Sequence, residues 1–385
     1  MTISRNTSAP DLFLTMTANS KWKEVLEALE PGQTPADRPD LVCRVFKLKL
    51  DNLLKEIIED EIFGELAGYA WTIEYQRKGL PHVHILLILK NQVDKPRTAA
   101  HIDRIISAEI PDRTTNPALY NAVVSHMIHG PCGEANPECA CMKNPKCPGR
   151  CFRKFPMREA KETLVDVDGY PEYRRRLSGP CAHIIPKLGV HTDVDNGWVV
   201  PYNPYLLQKY DTHINLEIST SIKSFKYIFK YIMKGGEKVE IRLRRVDTED
   251  STNTFLDLDE LKTWADGRLV SSHEAIWRIF EFPTNSLSHH VQRLSVHLPN
   301  QQTVVFTEEN MEQVAQAEPK HTTLTAYFAL CEGDGYEQEA RDLARITKYH
   351  DIPQYFTWEE SKGMWLPRPK KAPTKPVIMC NVLEH

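Results

Sequence analysis

Trp71–Lys90, WTIEYQRKGLPHVHILLILK, decides how the rest of the chain is read. Residues 66–75 read as one strand and 82–89 as the next, with Arg77–Pro81, carrying Gly79 and Pro81, as the turn between them. Side chains two apart on a strand share a face, so His82 and His84 point the same way, as do Glu74 and Gln76. A hairpin that pairs 74 with 84 and 76 with 82 converges two imidazoles, a carboxylate and an amide on one patch. That is a mixed nitrogen and oxygen donor set for a divalent metal. The competing reading is two core histidines. The apolar run Ile85–Leu89 implies a strand buried on both faces, where two unpaired imidazoles would be costly, and this favours the metal.

Upstream, Asp11–Thr17, DLFLTMT, reads as a strand, Lys21–Glu30 has helical character, and 31–39 is a loop. Asp40–Phe63 reads as a long amphipathic helix with Leu41, Val45, Leu48, Leu53, Ile57 and Ile58 near one stripe. Strand, helix, strand, strand is the front half of a ferredoxin-like sandwich, an antiparallel sheet with helices on one side. The expected fold class is therefore α+β.

Downstream, a short helix is expected around Ile102–Ile110 and another over Asn121–His129. The second runs into HGPCGEANPECACMKNPKCPGRC, with Cys132, Cys139, Cys141, Cys147 and Cys151. This block is too polar and too rich in Pro and Gly to fold around its own core, and a zinc ion would tie it down. The spacing departs from paired C-x-x-C knuckles. His129, Cys132, Cys141 and Cys147 are the preferred ligands, with Cys151 as the alternative to Cys147; a reduced, metal-free loop is the competing reading. Residues 152–190 form a basic connection containing Arg174-Arg175-Arg176. Trp198–Tyr205 reads as a turn-containing extended segment. His213–Ser219 alternates, with Ile214, Leu216 and Ile218 on one face and His213, Asn215 and Glu217 on the other, and is expected to join the same sheet.

With 385 residues and 41% hydrophobic content the chain can bury a core in two or three lobes. Net charge is −4, but its distribution is uneven. Residues 141–190 hold 11 Lys+Arg against 5 Asp+Glu and 205–245 hold 9 against 4, whereas 246–281 hold 3 against 9 and 305–361 hold 4 against 12. A basic middle and an acidic last third suit a polyanion-binding surface built from one part of the fold. Nine cysteines, five of them crowded into 132–151, do not suit a secreted disulfide scaffold in a chain this long. No signal peptide and no apolar run of spanning length is read, so no membrane association is expected and the protein is read as intracellular.

Ser224–Lys234, SFKYIFKYIMK, stopped by Gly235-Gly236, reads as a helix. Phe225, Ile228, Phe229, Ile232 and Met233 form its docking face, and Lys226, Lys230 and Lys234 form a basic stripe. Tyr227 and Tyr231 lie between them, one turn apart. Snorkelling tyrosines at a core boundary are the bland reading. Beside a two-histidine metal site, the pair reads instead as nucleophiles next to a phosphate-binding stripe. A phenol with a pKa of about 10 needs help at neutral pH, which nearby lysines and a metal would give.

At these residues the chain resembles the HUH endonuclease domain of Helitron transposases, the rolling-circle DNA transposons of eukaryotes. The ordered matches are DLFLTMTANSKW, EYQRKGLPHVHIL, HGPC with its cysteine block, WVVPYNPYLL, HINLE, KYIFKYIMKG, EAIWRIFEFP and TLTAYF. The resemblance implies Mg²⁺ or Mn²⁺ on His82 and His84, with Glu74 or Gln76 as third ligand. It implies Tyr227 and Tyr231 as the nucleophiles that cut single-stranded DNA by transesterification, leaving a 5′-phosphotyrosine bond and a free 3′-OH. Lys230 is read as assisting them, and Lys226, Lys234, Arg174, Arg175 and Arg176 as DNA contacts. A nuclear location and a helicase C-terminal to this domain are implied as well. No G-x-x-x-x-G-K-[ST] loop occurs here, so the chain reads as the nuclease part alone.

The expected organisation is a first half of the core over 1–120, a Cys-rich basic insertion over 121–190 and a second half with the tyrosine helix over 191–245. An acidic, mainly helical lobe over 246–382 and a tag remnant at 383–385 complete it. In the last third, Glu274–Pro283, Thr323–Leu330 and Glu337–Tyr349 read as helices, Thr303–Phe306 as a strand, and Trp358 and Trp365 as packing anchors. A viral or plasmid replication initiator, or a DNA-binding protein that keeps the fold without catalysis, are the alternatives.

Overall fold

The computed structural model describes residues 9–75, 79–130, 132–134, 136–143, 149–165, 171–176, 178–184, 192–219, 270–298, 321–333, 335–368 and 377–383. The described part is mixed α/β and divides into two compact units, Ala9–Ser286 and a C-terminal one beginning at Leu287. Gln76, Cys147, Thr303–Phe306 and the whole tyrosine helix, with Lys226, Tyr227, Lys230, Tyr231 and Lys234, lie outside the described residues.

The first unit is organised by a five-stranded antiparallel sheet. Its strands are β1 (Leu12–Thr17), β2 (Leu66–Tyr75), β3 (Pro81–Leu89), β8 (Ile214–Ile218) and β9 (Asn285–Leu287), in the order β8-β1-β3-β2-β9. Two small hairpins, β4 (Leu164–Val165) with β5 (Pro171–Glu172) and β6 (Ala182–Ile184) with β7 (Thr192–Val194), stand apart from it. The HIN segment does join the sheet, pairing with β1. The edge strand β9 has no alternating pattern and was not expected.

The hairpin register differs from the expected one. Glu74 opposes His82 and Thr72 opposes His84, so the pairing is shifted by two residues and the loop between the strands is 76–80 rather than 77–81. A two-residue shift keeps every side chain on its face. Glu74 therefore stays beside the histidines, one row nearer the loop.

Helix α1 (Lys23–Leu26) is a single turn where ten residues were expected. Helix α2 (Pro39–Ile58) starts with proline in its first turn and ends before Glu61, whose φ of 52° breaks the helix, so it stops short of Phe63. Helix α3 (Ala99–Ile105) gives way at Ile106 to extended backbone, where Ser107 bridges Tyr202. Helix α4 (Pro117–His126) is capped by Asn116 and begins four residues earlier than expected, and helix α5 (Pro204–Tyr210) is capped by Asn203 inside the stretch read as extended. Helix α6 (Ser272–Ile279) is capped by Ser271 and ends before Pro283.

One face of the sheet is wholly apolar. Val83, Ile85 and Leu87 of β3, Leu12, Leu14 and Met16 of β1, and Ile214, Leu216 and Ile218 of β8 join Phe46, Leu50 and Leu53 of α2 in one core. Phe46 lies between Trp22 and Trp277, at ring-centroid distances of 6.5 and 5.8 Å. Burying this face fixes the opposite one, which carries the histidines, by simple alternation.

Among the described residues, the C-terminal unit holds α7 (Thr323–Glu332), α8 (Gln338–Ile346) and α9 (Ile352–Tyr355) with four strands. β10 (His290–Val296) pairs in parallel with β13 (Val377–Leu383), and β11 (Phe356–Glu359) pairs with β12 (Met364–Pro367). Trp365 is fully buried and Trp358 packs against it at 5.4 Å.

Candidate functional site

In antiparallel pairing, directly opposed residues share a face, so the second face of the sheet can be read in rows. Glu74, His82 and Thr17 form one row, and Thr72, His84, Thr15 and Asn215 the next. Phe13 and Leu86 begin a third. Sequence fixes this arrangement through alternation alone once the register is known.

Each histidine is held by named neighbours. His82 Nδ1 lies 2.6 Å from Thr17 Oγ1, and His84 Nε2 lies 3.0 Å from Glu74 Oε2. Phe13 stacks on His84 with an interplanar angle of 3° and a centroid separation of 5.7 Å. The two imidazoles meet edge to face at 4.5 Å. Both histidines are only 5% exposed. Burial, with His84 and His213 adding positive potential, pushes the pKa of His82 well down, so its ring is neutral and keeps a lone pair for a cation. Cis ligands in an Mg²⁺ octahedron with bonds of about 2.1 Å lie about 3 Å apart, which is the separation of His84 Nε2 and Glu74 Oε2. That pair is spaced as two ligands of such an ion would be.

Sequence reasoning missed the residues that orient the site. Thr17 and Phe13 sit in DLFLTMT, where alternation puts them on the histidine face. His213 continues beside Thr17: its backbone oxygen accepts from Thr17 N at 3.0 Å, and its Nδ1–H donates to the His126 carbonyl at 2.8 Å. Burial lowers the pKa of His213 as well.

A second cluster lies in the cysteine block. His129, Cys132, Cys141 and Cys151 place one ligand atom each, all within 4.8 Å of one another, and could hold a metal such as zinc. Cys151 Sγ is 3.4 Å from His129 Nε2, close to the edge of about 3.5–3.8 Å expected in a Cys₃His tetrahedron around zinc. Three preferred ligands of the sequence reading are thus together, and the alternative Cys151 stands in the fourth place. Cys139 is adjacent, 3.5 Å from Cys141. Among the described residues this is the cluster whose ligand atoms all converge; the His82, His84 and Glu74 group is looser.

The block is folded by local geometry. Gly130 has φ of 94°, and a Cβ there would meet Cys132 N at 2.7 Å, so only glycine turns the chain from His129 back to Cys132. Phe155 stacks on His129 at 4.2 Å. Burial pushes the Cys132 thiol up to about 11 and raises Cys141 further. Burial also opposes ionisation of Cys151, but hydrogen bonds from the backbone N–H groups of Phe155 and Arg153 and from the Cys141 and Cys132 thiols together leave that thiol lowered.

Of the arginine run, the middle residue is buried while Arg176 stays exposed. Arg175 is 4% exposed and donates to the carbonyls of Ala108, Asn196 and Val199. Burial brings its pKa down to about 10. Arg174 pairs with Asp103 at 2.9 Å, and Arg176 pairs with Glu109. A run of three charges looks solvated in sequence, whereas here the middle one pins loops together. Arg175→Met is expected to destabilise the protein by about 3–5 kcal/mol, since three buried carbonyls lose their donor. Denaturant titration checks the loss, and the salt dependence of DNA binding should stay unchanged.

Residues 1–87 match the family model described as Helitron helicase-like domain at N-terminus, a span that includes both histidines and Glu74. The match makes this span, under a quarter of the chain, similar to that Helitron family. No curated protein matches the chain. Among the described residues no helix is long and apolar enough to cross a membrane.

Proposed function

We propose that the chain is the metal-dependent nuclease and strand transferase of a rolling-circle transposon, acting on single-stranded DNA. The observation that carries this reading is that His82, His84 and Glu74 share one face of a sheet whose other face packs the core. The strand order gives further support. With β1, α2, β2 and β3 as the first half and β8 beside β1, the strand order is the one a ferredoxin-like HUH core would need.

His82, His84 and Glu74 would hold Mg²⁺ or Mn²⁺, which polarises the scissile phosphate and orients it for in-line attack. Thr17 fixes the His82 ring through Nδ1 and leaves Nε2 for the site, while Phe13 fixes the plane of His84. Tyr227 or Tyr231 supplies the nucleophile. Its phenolate oxygen bonds to phosphorus, the P–O3′ bond breaks, and the departing 3′ oxygen takes up a proton to become the free 3′-OH. Lys230, next to both phenols in the sequence pattern, favours the phenolate. Two tyrosines let one strand stay covalently held while a second is cut or rejoined. A helicase C-terminal to this region would supply the single strand, in the nucleus, and the Cys₃His cluster would take structural Zn²⁺.

Incubation with a single-stranded oligonucleotide and Mn²⁺ should give a covalent protein–DNA adduct that EDTA prevents. Tyr227→Phe/Tyr231→Phe together should lose all adduct, and each single variant should keep some. Salt-sensitive binding without any adduct would instead identify a DNA-binding protein that keeps the fold but not the chemistry.

A further inference from the structure

The basic middle of the chain holds two groups that differ in their partners. Arg175 is buried on backbone carbonyls, and Arg174 and Arg176 are paired with the carboxylates of Asp103 and Glu109. Residues 149–158, GRCFRKFPMR, carry four cationic side chains and no carboxylate. Arg150, Arg153, Lys154 and Arg158 are all exposed, and among the described residues none of the four is paired with an acidic side chain.

Three of them, Arg150, Lys154 and Arg158, line a cleft of about 690 Å³. Glu172 is the carboxylate found in that lining, so the wall stays strongly cationic. Phe152 is 42% exposed on the same segment, with the Arg153 guanidinium 5.2 Å above its ring. A solvent-facing aromatic beside unpaired cations is the pairing that single strands use, bases stacking while phosphates meet the charges. Cys151 also lines the cleft, so the ligand cluster fixes one wall.

We propose that this cleft binds the backbone of single-stranded DNA, with phosphates on Arg150, Lys154 and Arg158 and a base stacked on Phe152. The proposal rests on the DNA-acting reading above and adds where the strand runs. Four like charges held together in ten residues repel one another, and an incoming polyanion relieves that repulsion while releasing its own counterions.

The test is binding of a fluorescent oligothymidylate of about 20 nucleotides to the full chain, without divalent ion so that cutting cannot contribute, across a salt series. Arg150→Gln/Lys154→Gly/Arg158→Gln should weaken binding by about fiftyfold or more near 0.1 M salt and reduce the log–log salt slope by about 2. Lys154 has φ of 64°, where glycine is at ease, so Lys154→Gly alone removes a charge without straining the fold. It should lower the slope by about 0.7 even if the triple variant folds poorly. Phe152→Ala should weaken single-strand binding by about tenfold and leave a duplex of the same sequence unaffected. Unchanged affinity and slope in the charge variants would overturn the proposal, as would equal loss of duplex binding in Phe152→Ala. Failure of wild-type protein to form an Mn²⁺-dependent adduct would overturn the nuclease reading alone, because this titration needs no cleavage.

Discussion

His82→Ala combined with His84→Ala is expected to abolish covalent capture of single-stranded DNA, a loss of at least about a thousandfold in rate. The two rings are the nitrogen donors of the proposed site, and no other imidazole occupies their rows among the residues paired with them. Rate measurements at saturating Mn²⁺ check the loss. Oligothymidylate binding without metal should survive in the same variant, which separates lost chemistry from lost folding. Glu74→Gln keeps a hydrogen-bonding group opposite His84 Nε2 but removes the charge, so the Mn²⁺ needed for half-maximal rate should rise by about tenfold or more. Gln76→Ala should leave it unchanged if Glu74 is the third ligand.

Stripping the ion from the Cys₃His cluster is expected to have the largest effect on stability. Structural zinc in small cysteine-rich folds contributes on the order of 10 kcal/mol, and the block has almost no core of its own. Cys132→Ser should therefore lower the zinc content below one per chain, and hydrogen exchange over 129–158 should lose its protection. The thiols fix the pH dependence. Cys132, pushed up to about 11, and Cys141, raised further, are protonated at neutral pH without metal and must release those protons to bind it. Zinc affinity should therefore rise with pH, by about a hundredfold per unit, and be lost on acidification. A slope near zero would mean that these thiols are not ligands. The proposed cleft should follow the cluster, because Cys151 belongs to both.

Alternation made the hairpin, the buried face and the shared face of His82 and His84 readable from sequence. It could not fix the register, because a two-residue slip preserves every face and leaves five residues between the strands in either pairing. The irregularity between Leu66 and Gly68 also offsets the strands at their far end and leaves no pattern in the residues. Helix ends shifted where caps decided them: Asn116 and Asn203 start helices that hydrophobic periodicity alone placed later or not at all. The cysteine block announced a metal by composition, but only tertiary structure brings Cys151 to His129 across 22 residues. The burial of Arg175 was not legible because charge count carries no depth. Its partners are carbonyls of Ala108, Asn196 and Val199, distant in sequence and invisible in composition.

The most direct test of the central claim is mass spectrometry of the peptide crosslinked to DNA after reaction of the wild-type chain with a single-stranded oligonucleotide and Mn²⁺. The account predicts a nucleotide attached through a 5′-phosphate to Tyr227 or Tyr231, in the peptide containing Ser224–Lys234. A crosslink at any other residue, or no crosslink under conditions where the oligonucleotide is cut, would contradict it.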